Sequence, residues 1–582
     1  MEQSQDNGVA VNYFGITACP FCSEPIGITA TKGAGAVSAG SAKRGRTFKH
    51  ATDTPRNTIA GIRGKANRAG IELYCPSSSC LFNIGLPLLI VDEDVYDDPP
   101  DFLLATVDKI ATTAWNPKAR AIFGIDLNGD RARPSFDLVI QDELHLIAGP
   151  LGTAFAMYEP LVGLLGSHGA TSGKPAHMPK IICSTATVSE YQKQILQLFG
   201  RSSSHLFPPP GFRHGETYFT TAFSGLDSQN EGTTYVGIYS PEFQSAQTAQ
   251  AVALAATVSA GDVLTAKGLV VDPWWTTVAF FNSLRELGYA VTLVETDVPD
   301  YLRVWAARNP QVKRGVMPLT KVELTSRIPS HEIPEKLREL ETAYPNPSSS
   351  DICLASTMIE VGIDVDRLAL MAVLGQPNST ARYIQVTGRV GRNWRKAPGV
   401  VVTVYGLGKA RDISHYEHFQ SYHRRLYADV TPTLLAPFIE PALVKFLAGT
   451  AAAYLRQTMP AEGISQKQSF SATAQDLDVW ARTYLSRAAE FGRLVQTSKH
   501  VESIRQQVES WNLESRPWAQ EPYKSLNLDS PAVICRADDQ DAVAFGNRVW
   551  RVPTSLRDVE SNVSIVPSSH KKPILPLQTG GA

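Results

Sequence analysis

Only seven of the 582 residues are cysteine, and the formal net charge is -1. The chain therefore has neither the cysteine density of a disulfide-stapled secreted scaffold nor a global charge that would draw it to a polyanion. No stretch is expected to reach the ~20 apolar residues that a bilayer-spanning helix takes. The first ten residues, MEQSQDNGVA, hold neither a basic leader nor an apolar core. Together these absences set the expectation of a cytoplasmic protein with no membrane partner, whose contacts with nucleic acid come from local basic patches. At 43% hydrophobic and 19% charged residues the composition is that of globular domains, and the length suits three or more cores.

The few cysteines are unevenly placed. Cys183, Cys353 and Cys535 stand alone, the first two inside apolar runs. The other four form two close pairs, Cys19-Pro-Phe-Cys22 and Cys75-Pro-Ser-Ser-Ser-Cys80, which can give four thiolates to one tetrahedral Zn²⁺. Between the pairs lies a Gly- and Ala-rich stretch in which Lys43, Arg44, Arg46, Lys49, Arg56, Arg63, Lys65 and Arg68 face only Asp53 as counter-charge. Its composition is that of a solvated loop. With its ends held by a metal knuckle it could also contact phosphates.

Beyond these pairs the apolar runs are strand-like. Residues 86–95 (LPLLIVDEDV) and 102–110 (FLLATVDKI) are expected strands, and DLVI at 137–140 is a continuous run of the kind that fills a parallel sheet. DLVI leads directly into Gln141-Asp142-Glu143-Leu144-His145. Acids just past the carboxyl end of a strand stand where open α/β sheets place ligands: Asp142 could hold Mg²⁺ through its water shell and Glu143 could deprotonate an attacking water. The same acids would also suit a helix N-terminus. KIICS at 180–184 is a further strand, ending in the hydroxyls of Thr185 and Thr187. Residues 276–283, 322–328, 351–357 and 368–374 are four more, alternating with helical segments, which predicts a doubly wound α/β domain. The last of them precedes STARYIQVTGRVGRNWR at 379–395. On one helix, Gln385, Arg389 and Arg392 would share a face at i, i+4, i+7 spacing, and guanidinium forks suit phosphate oxygens.

In their order and spacing, strand-DELH, strand-STAT, ASTMIEVGIDV and YIQVTGRVGR resemble the later motifs of superfamily 2 helicases, whose two RecA-like domains clamp ATP between them. The resemblance implies ATP and Mg²⁺ as cofactors, with Asp142 and Glu143 as the magnesium and water-activating residues. It implies Gln385, Arg389 and Arg392 as γ-phosphate sensor and arginine finger, and Gly362 and Asp364 as nucleotide contacts. His145, Thr185 and Thr187 become the coupling residues, and Thr106, Ser326, Arg327, Thr357 and Glu360 the nucleic-acid contacts. More narrowly, the cysteine-bearing insertion, VELTSRIPSHEIPEKL and SHYEHFQSYHRRLYADVTPTLLAPFIEP are similar to the large helicase of DISARM-type phage-defence systems. DNA then ranks ahead of RNA as partner, beside other defence-system subunits.

One part of such an enzyme is missing. No GxxxxGK[ST] P-loop occurs: Gly64-Lys65-Ala66 and Gly173-Lys174-Pro175 lack its first glycine and its hydroxyl. Without the P-loop strand, the sheet around DLVI would keep a bare apolar edge, an aggregation liability. The expectation is the C-terminal portion of a split or truncated motor, inactive as an isolated chain and completed by a polypeptide that carries the P-loop half. The competing reading is a non-catalytic nucleic-acid-binding or scaffolding subunit that retains idle motor residues.

The expected fold is α/β: a cysteine-bearing zinc knuckle with basic loop (1–86), an incomplete first RecA-like domain (87–215), a complete second one (216–410), a helical accessory domain (411–525), and a small β appendage with a disordered tail (526–582). Within the helical part, His415, Phe419, Tyr422 and Leu426 have helical spacing and are expected to form a packing stripe rather than a base-stacking surface.

Overall fold

The computed structural model describes residues 16, 18–27, 61–64, 70–167, 177–185, 190–209, 211–212, 216–219, 232–243, 245–314, 318–329, 332–360, 364–393, 396–427, 430, 435–460, 470–514, 516–518, 532–538 and 548–557. Two compact units divide the chain, each discontinuous in sequence: Met1–Asp98 with Ser184–Tyr191 and Ser203–Pro432, and Pro99–Cys183 with Gln192–Ser202 and Thr433–Ala582.

At the N-terminus a short antiparallel pair, β1 (Ile62–Gly64) and β2 (Ile71–Leu73), packs with Ile26, Leu86 and three of the cysteines. The run at 86–95 is not the expected strand. Asp92, Glu93 and Asp94 open a helix, α1 (Asp92–Asp97), where the dipole favours acids, and buried Asp94 accepts the amide of Ile71. Nor is 102–110 a strand. After Pro99 and Pro100 the chain carries Phe102 and Leu104 at 76% and 88% exposure, then turns into a 3-10 stretch, Val107–Ala114. Among the described residues no strand lies beside it to take its amides.

The second unit begins with β3 (Leu138–Gln141), α2 (Gly149–Gly166), β4 (Lys180–Cys183) and α3 (Tyr191–Phe199). β3 and β4 pair in parallel, Leu138 opposite Lys180 through Gln141 opposite Cys183. Contrary to the expected burial, Leu138, Ile140 and Ile182 are 45%, 59% and 45% exposed. Among the described residues this sheet has only two strands, and one face of it is uncovered.

The large sheet of the first unit is made by β5 (Thr233–Ile238), β6 (Thr277–Phe281), β7 (Lys321–Leu324), β8 (Ile352–Ala355), β9 (Leu370–Leu374) and β10 (Gly399–Val404). All six are parallel in the order β5-β10-β9-β6-β8-β7. The connecting helices are α4 (Ala246–Ala266), α5 (Asp272–Trp275), α6 (Leu284–Glu295), α7 (Asp297–Arg308), α8 (Ile333–Glu341) and α9 (Thr380–Thr387). After β10 follow α10 (Ala410–Glu417) and α11 (Phe419–Arg424). Along β6, Val278 and Phe280 point into a core with Tyr383 and Val386, while Ala279 and Phe281 meet Leu254, Val258 and Leu287 on the other face. Burial on both faces is why the strands read as unbroken apolar runs. β5 and β10 add to the four strands expected.

One expectation about apolar length is corrected here. The 21 residues of α4 are apolar enough, by length and composition alone, to cross a bilayer, and 56% of the most apolar window is buried. Leu254, Ala255 and Val258 sit at no measurable exposure in the core beside the sheet. The expected packing stripe is present: Tyr422 and Leu426 are buried, and the rings of His415 and Tyr422 meet edge to face at 4.7 Å.

The second unit is completed by α12 (Glu440–Ala442), a π-helical turn at Leu443–Leu447, α13 (Ala448–Thr458), α14 (Asp478–Glu490), α15 (Leu494–Glu514), and the parallel pair β11 (Ile534–Arg536) and β12 (Trp550–Val552). Its core joins Phe155, Tyr158 and Leu161 of α2 to Leu447, Trp480, Tyr484 and Trp550. Residues 99–183 and 433–582 thus share one hydrophobic centre.

Candidate functional site

The two cysteine pairs converge. In the first, the Cys19 amide donates to the carbonyl of Glu24 and that of Ser23 returns to Cys19, closing a tight knuckle. In the second, the Cys75 amide is held by Phe82 and that of Cys80 by Ser77. The Sγ atoms of Cys22 and Cys75 lie 3.4 Å apart and those of Cys19 and Cys80 3.9 Å, all four within 4.8 Å of one another. A tetrahedron of Zn–S bonds near 2.3 Å has edges of about 3.8 Å, so the donor set fits Zn²⁺. The amide of Cys22 draws the Cys19 thiol down to about 7, whereas burial pushes Cys75 up to about 12. Four thiols this close ionise together only around a cation. Of the basic residues between the pairs, Arg63 is described. It binds Glu72 at 2.6 Å and the carbonyl of Ile84; Lys43, Arg44, Arg46, Lys49, Arg56, Lys65 and Arg68 lie outside the described residues.

At the carboxyl end of β3 the chain turns sharply. Glu143 has φ +51° and precedes a single 3-10 turn, Leu144–Leu146. Buried Leu144 and Ile147 anchor that turn, and the Asp142 carboxylate accepts the amide of Glu143 at 2.9 Å. A left-handed conformation costs a non-glycine residue on the order of 1–3 kcal/mol and concentrates at functional sites. The Glu143 side chain is 40% exposed, with Oε2 3.4 Å from Nδ1 of His145. Burial lowers the His145 pKa against the pull of Glu143 and Asp142. Thr185 follows β4 and is half-buried, while Thr187 is outside the described residues. Thr106 is exposed just before the 3-10 stretch at Val107.

In the first unit, Ser379 caps α9 by accepting the amide of Arg382. The helix ends at Thr387, so Gln385 is helical but Arg389 and Arg392 are not. The expectation of one shared helical face is corrected: Gly388 ends the helix and the two arginines sit in the turn that follows. Gly391 at φ +68° makes that turn, with its amide on the carbonyl of Leu368. A Cβ there would lie 2.4 Å from both Cα and N of Gly399. Gly391→Ala is therefore expected to destabilise the first unit by about 1–3 kcal/mol from the backbone alone, with the clash adding to it. Thermal denaturation checks this, and an unchanged midpoint would show that the turn tolerates a side chain.

The two arginines are bound by the segment after β8. Arg392 pairs with Asp364 at 2.5 Å, and Arg389 donates to the main-chain carbonyl of Glu360. The Glu360 carboxylate is buried and takes Nε of Arg382 at 2.6 Å. Gly362 is outside the described residues. Thr357 opens the 3-10 turn Thr357–Glu360 and is exposed, as are Ser326 and Arg327 beyond β7. Arg327 also donates to the carbonyl of Leu284. Arg382 was missed in the sequence. Its only signal there was its place three residues after the capping serine.

Residues 319–393, from β7 to the turn that carries Arg389 and Arg392 in the crossover between β9 and β10, match the helicase conserved C-terminal domain, so the chain is helicase-related. The chain is 35% identical over 431 residues to the DISARM protein DrmA of Bacillus paralicheniformis, covering 68% of this chain and 37% of that protein. It is also 33% identical over 72 residues to the ATP-dependent helicase Lhr-Core of Methanocaldococcus jannaschii, 12% of this chain and 8% of that one. Among solved structures, Mycobacterium smegmatis helicase Lhr bound to single-stranded DNA and AMP-PNP aligns with a TM-score of 0.41 at 16% identity, over 63% of this chain and 40% of that chain. The DUF1998 helicase MrfA bound to DNA aligns at 0.39 and 16%, over 60% and 38%. The chain thus spans less than half the length of each of these proteins.

Proposed function

We propose that this chain is part of an ATP-dependent DNA helicase or translocase of phage defence, working in the cytoplasm, whose P-loop is supplied from outside these 582 residues. The observation that carries the reading is the turn holding Arg389 and Arg392, fixed by Gly391 and by residues 360 and 364. The matched helicase domain and the identity to DrmA support it. The strained Glu143 and the uncovered apolar face of β3 and β4 support an incomplete first RecA-like domain awaiting more sheet.

In this reading Asp142 would hold Mg²⁺ through its water shell, and the ion would supply charge neutralisation at the β- and γ-phosphate oxygens. Glu143 takes the proton of the attacking water, and His145 orients its carboxylate. Gln385 and the forks of Arg389 and Arg392 bind the γ-phosphate as negative charge develops on it. Asp364, and Gly362 by the sequence resemblance alone, would contact the rest of the nucleotide. His145, Thr185 and Thr187 couple that chemistry to a strand contacted through Thr106, Ser326, Arg327 and Thr357. Cys19, Cys22, Cys75 and Cys80 hold a structural Zn²⁺, and further defence subunits complete the assembly.

The test is ATP hydrolysis by this chain with and without the segment that carries the P-loop, fused to it or added in trans, and with and without DNA. DNA-stimulated hydrolysis is expected only when the P-loop-bearing segment is present, and it should disappear in Glu143→Gln. DNA binding without hydrolysis in any arm would instead establish the scaffolding subunit.

A further inference from the structure

We infer that Glu360 and Arg382 form a positioning pair that sets the guanidinium of Arg389, and that Glu360 contacts neither the strand nor the nucleotide. This rests on the role given to Arg389 above. Sequence placed Glu360 among the nucleic-acid contacts, but its geometry points inward. The residue is 8% exposed, and its Oε1 accepts from Nε of Arg382 at 2.6 Å. Its main-chain carbonyl accepts from Nη2 of Arg389. Burial raises the carboxyl's pKa, and Arg382 and Arg389 pull it back.

Arg382 is itself fixed from three sides. Its amide bonds the Ser379 hydroxyl, its guanidinium lies over the ring of Phe280 at 5.7 Å, and its Nε is held by Glu360. Phe280 is a fully buried residue of β6. One residue therefore ties both ends of the helix-and-turn segment, Arg382 on the first turn of α9 and Arg389 two residues past its end. The sheet core passes its rigidity through Phe280 and Arg382 to Glu360, and through the Glu360 backbone to the phosphate-facing arginine. A carboxylate buried against a guanidinium presents little surface to a strand, and its charge would repel phosphate.

The test uses the ATP-hydrolysing assembly. Glu360→Gln keeps shape and an acceptor while removing the charge. Misplacement of a catalytic group by ~1 Å can cost about 10²-fold, so kcat is expected to fall by roughly 10- to 100-fold. KM for ATP and the salt dependence of DNA binding should stay within about twofold. In an Arg389→Ala background the same change should add less than about twofold, because the two act as one unit. Arg382→Gln should reproduce the cycle, and it replaces Glu360→Gln if that variant melts early. Weakened DNA binding with kcat retained, or full additivity with Arg389→Ala, would overturn the pair. If Arg389→Ala itself left hydrolysis unchanged, the role of Arg389 would fall first. A silent Glu360→Gln beside a crippled Arg389→Ala would remove the positioning pair alone.

Discussion

Arg392→Ala is expected to slow ATP hydrolysis by the complete assembly by about 10³-fold or more, the scale at which arginine fingers act, while changing ATP affinity far less. The reason is geometric. The guanidinium presents a planar fork to oxygens on which negative charge grows only as the phosphoryl group transfers, so its removal falls on kcat. Lysine should not restore the rate, because a point charge cannot replace the fork. In this structure the side chain is paired with Asp364, but both partners are open to solvent at 33% and 58% exposure. Exposed ion pairs contribute ~0–1 kcal/mol, so transfer of Arg392 from Asp364 to a phosphate meets little resistance. Single-turnover hydrolysis separates the steps; an unchanged rate in Arg392→Ala would sink the finger assignment.

The second large effect is expected at the cysteine cluster. Cys75→Ser should reduce bound zinc from one per chain to none and unfold the N-terminal module, since structural Zn²⁺ contributes on the order of 10–16 kcal/mol to small domains that fold around it. Among the described residues the module has a small core. Its buried residues are Ile26, Leu73, Leu86, Cys19, Cys75 and Cys80, around two three-residue strands. Two-stranded pairs of that size are marginal on their own. The six-stranded sheet should keep its cooperative melting, because its two cores draw on no residue of the module. Metal analysis and limited proteolysis of the first hundred residues give the answer. Zinc retained by Cys75→Ser, or absent from the unaltered protein, would remove the metal site. Acidification should release the metal as the thiolates protonate.

Much of the second α/β domain was legible without coordinates. The runs at 276–283, 351–357 and 368–374 contain the strands Thr277–Phe281, Ile352–Ala355 and Leu370–Leu374, because a buried parallel strand needs apolar side chains on both faces, and few other elements read that way. The same signal misled at 86–95 and 102–110. An apolar run states a wish to be buried, and it becomes a strand only where another strand accepts its hydrogen bonds. The acids of DEDVYD and the paired prolines decided those segments locally. Gln385, Arg389 and Arg392 were found by spacing, yet their helical face was wrong, because Gly388 and Gly391 end the helix between the glutamine and the second arginine.

Sequence by itself determined which residues are chemically eligible: two cysteine pairs, acids after an apolar run, arginines after glycines, and no P-loop among the 582 residues. Those are properties of residue type and local spacing. Tertiary structure decided what each one faces. It brought Cys19 and Cys80 together across 61 positions of chain, turned the Glu360 carboxylate inward onto Arg382, and joined residues 99–183 to 433–582 in one core. Contacts of that kind depend on which surfaces exclude water together, and no local pattern encodes the partner. The turn at Arg389 and Arg392 needs both levels, since the glycines that bend it are written in sequence and the groups that aim it are supplied by the fold.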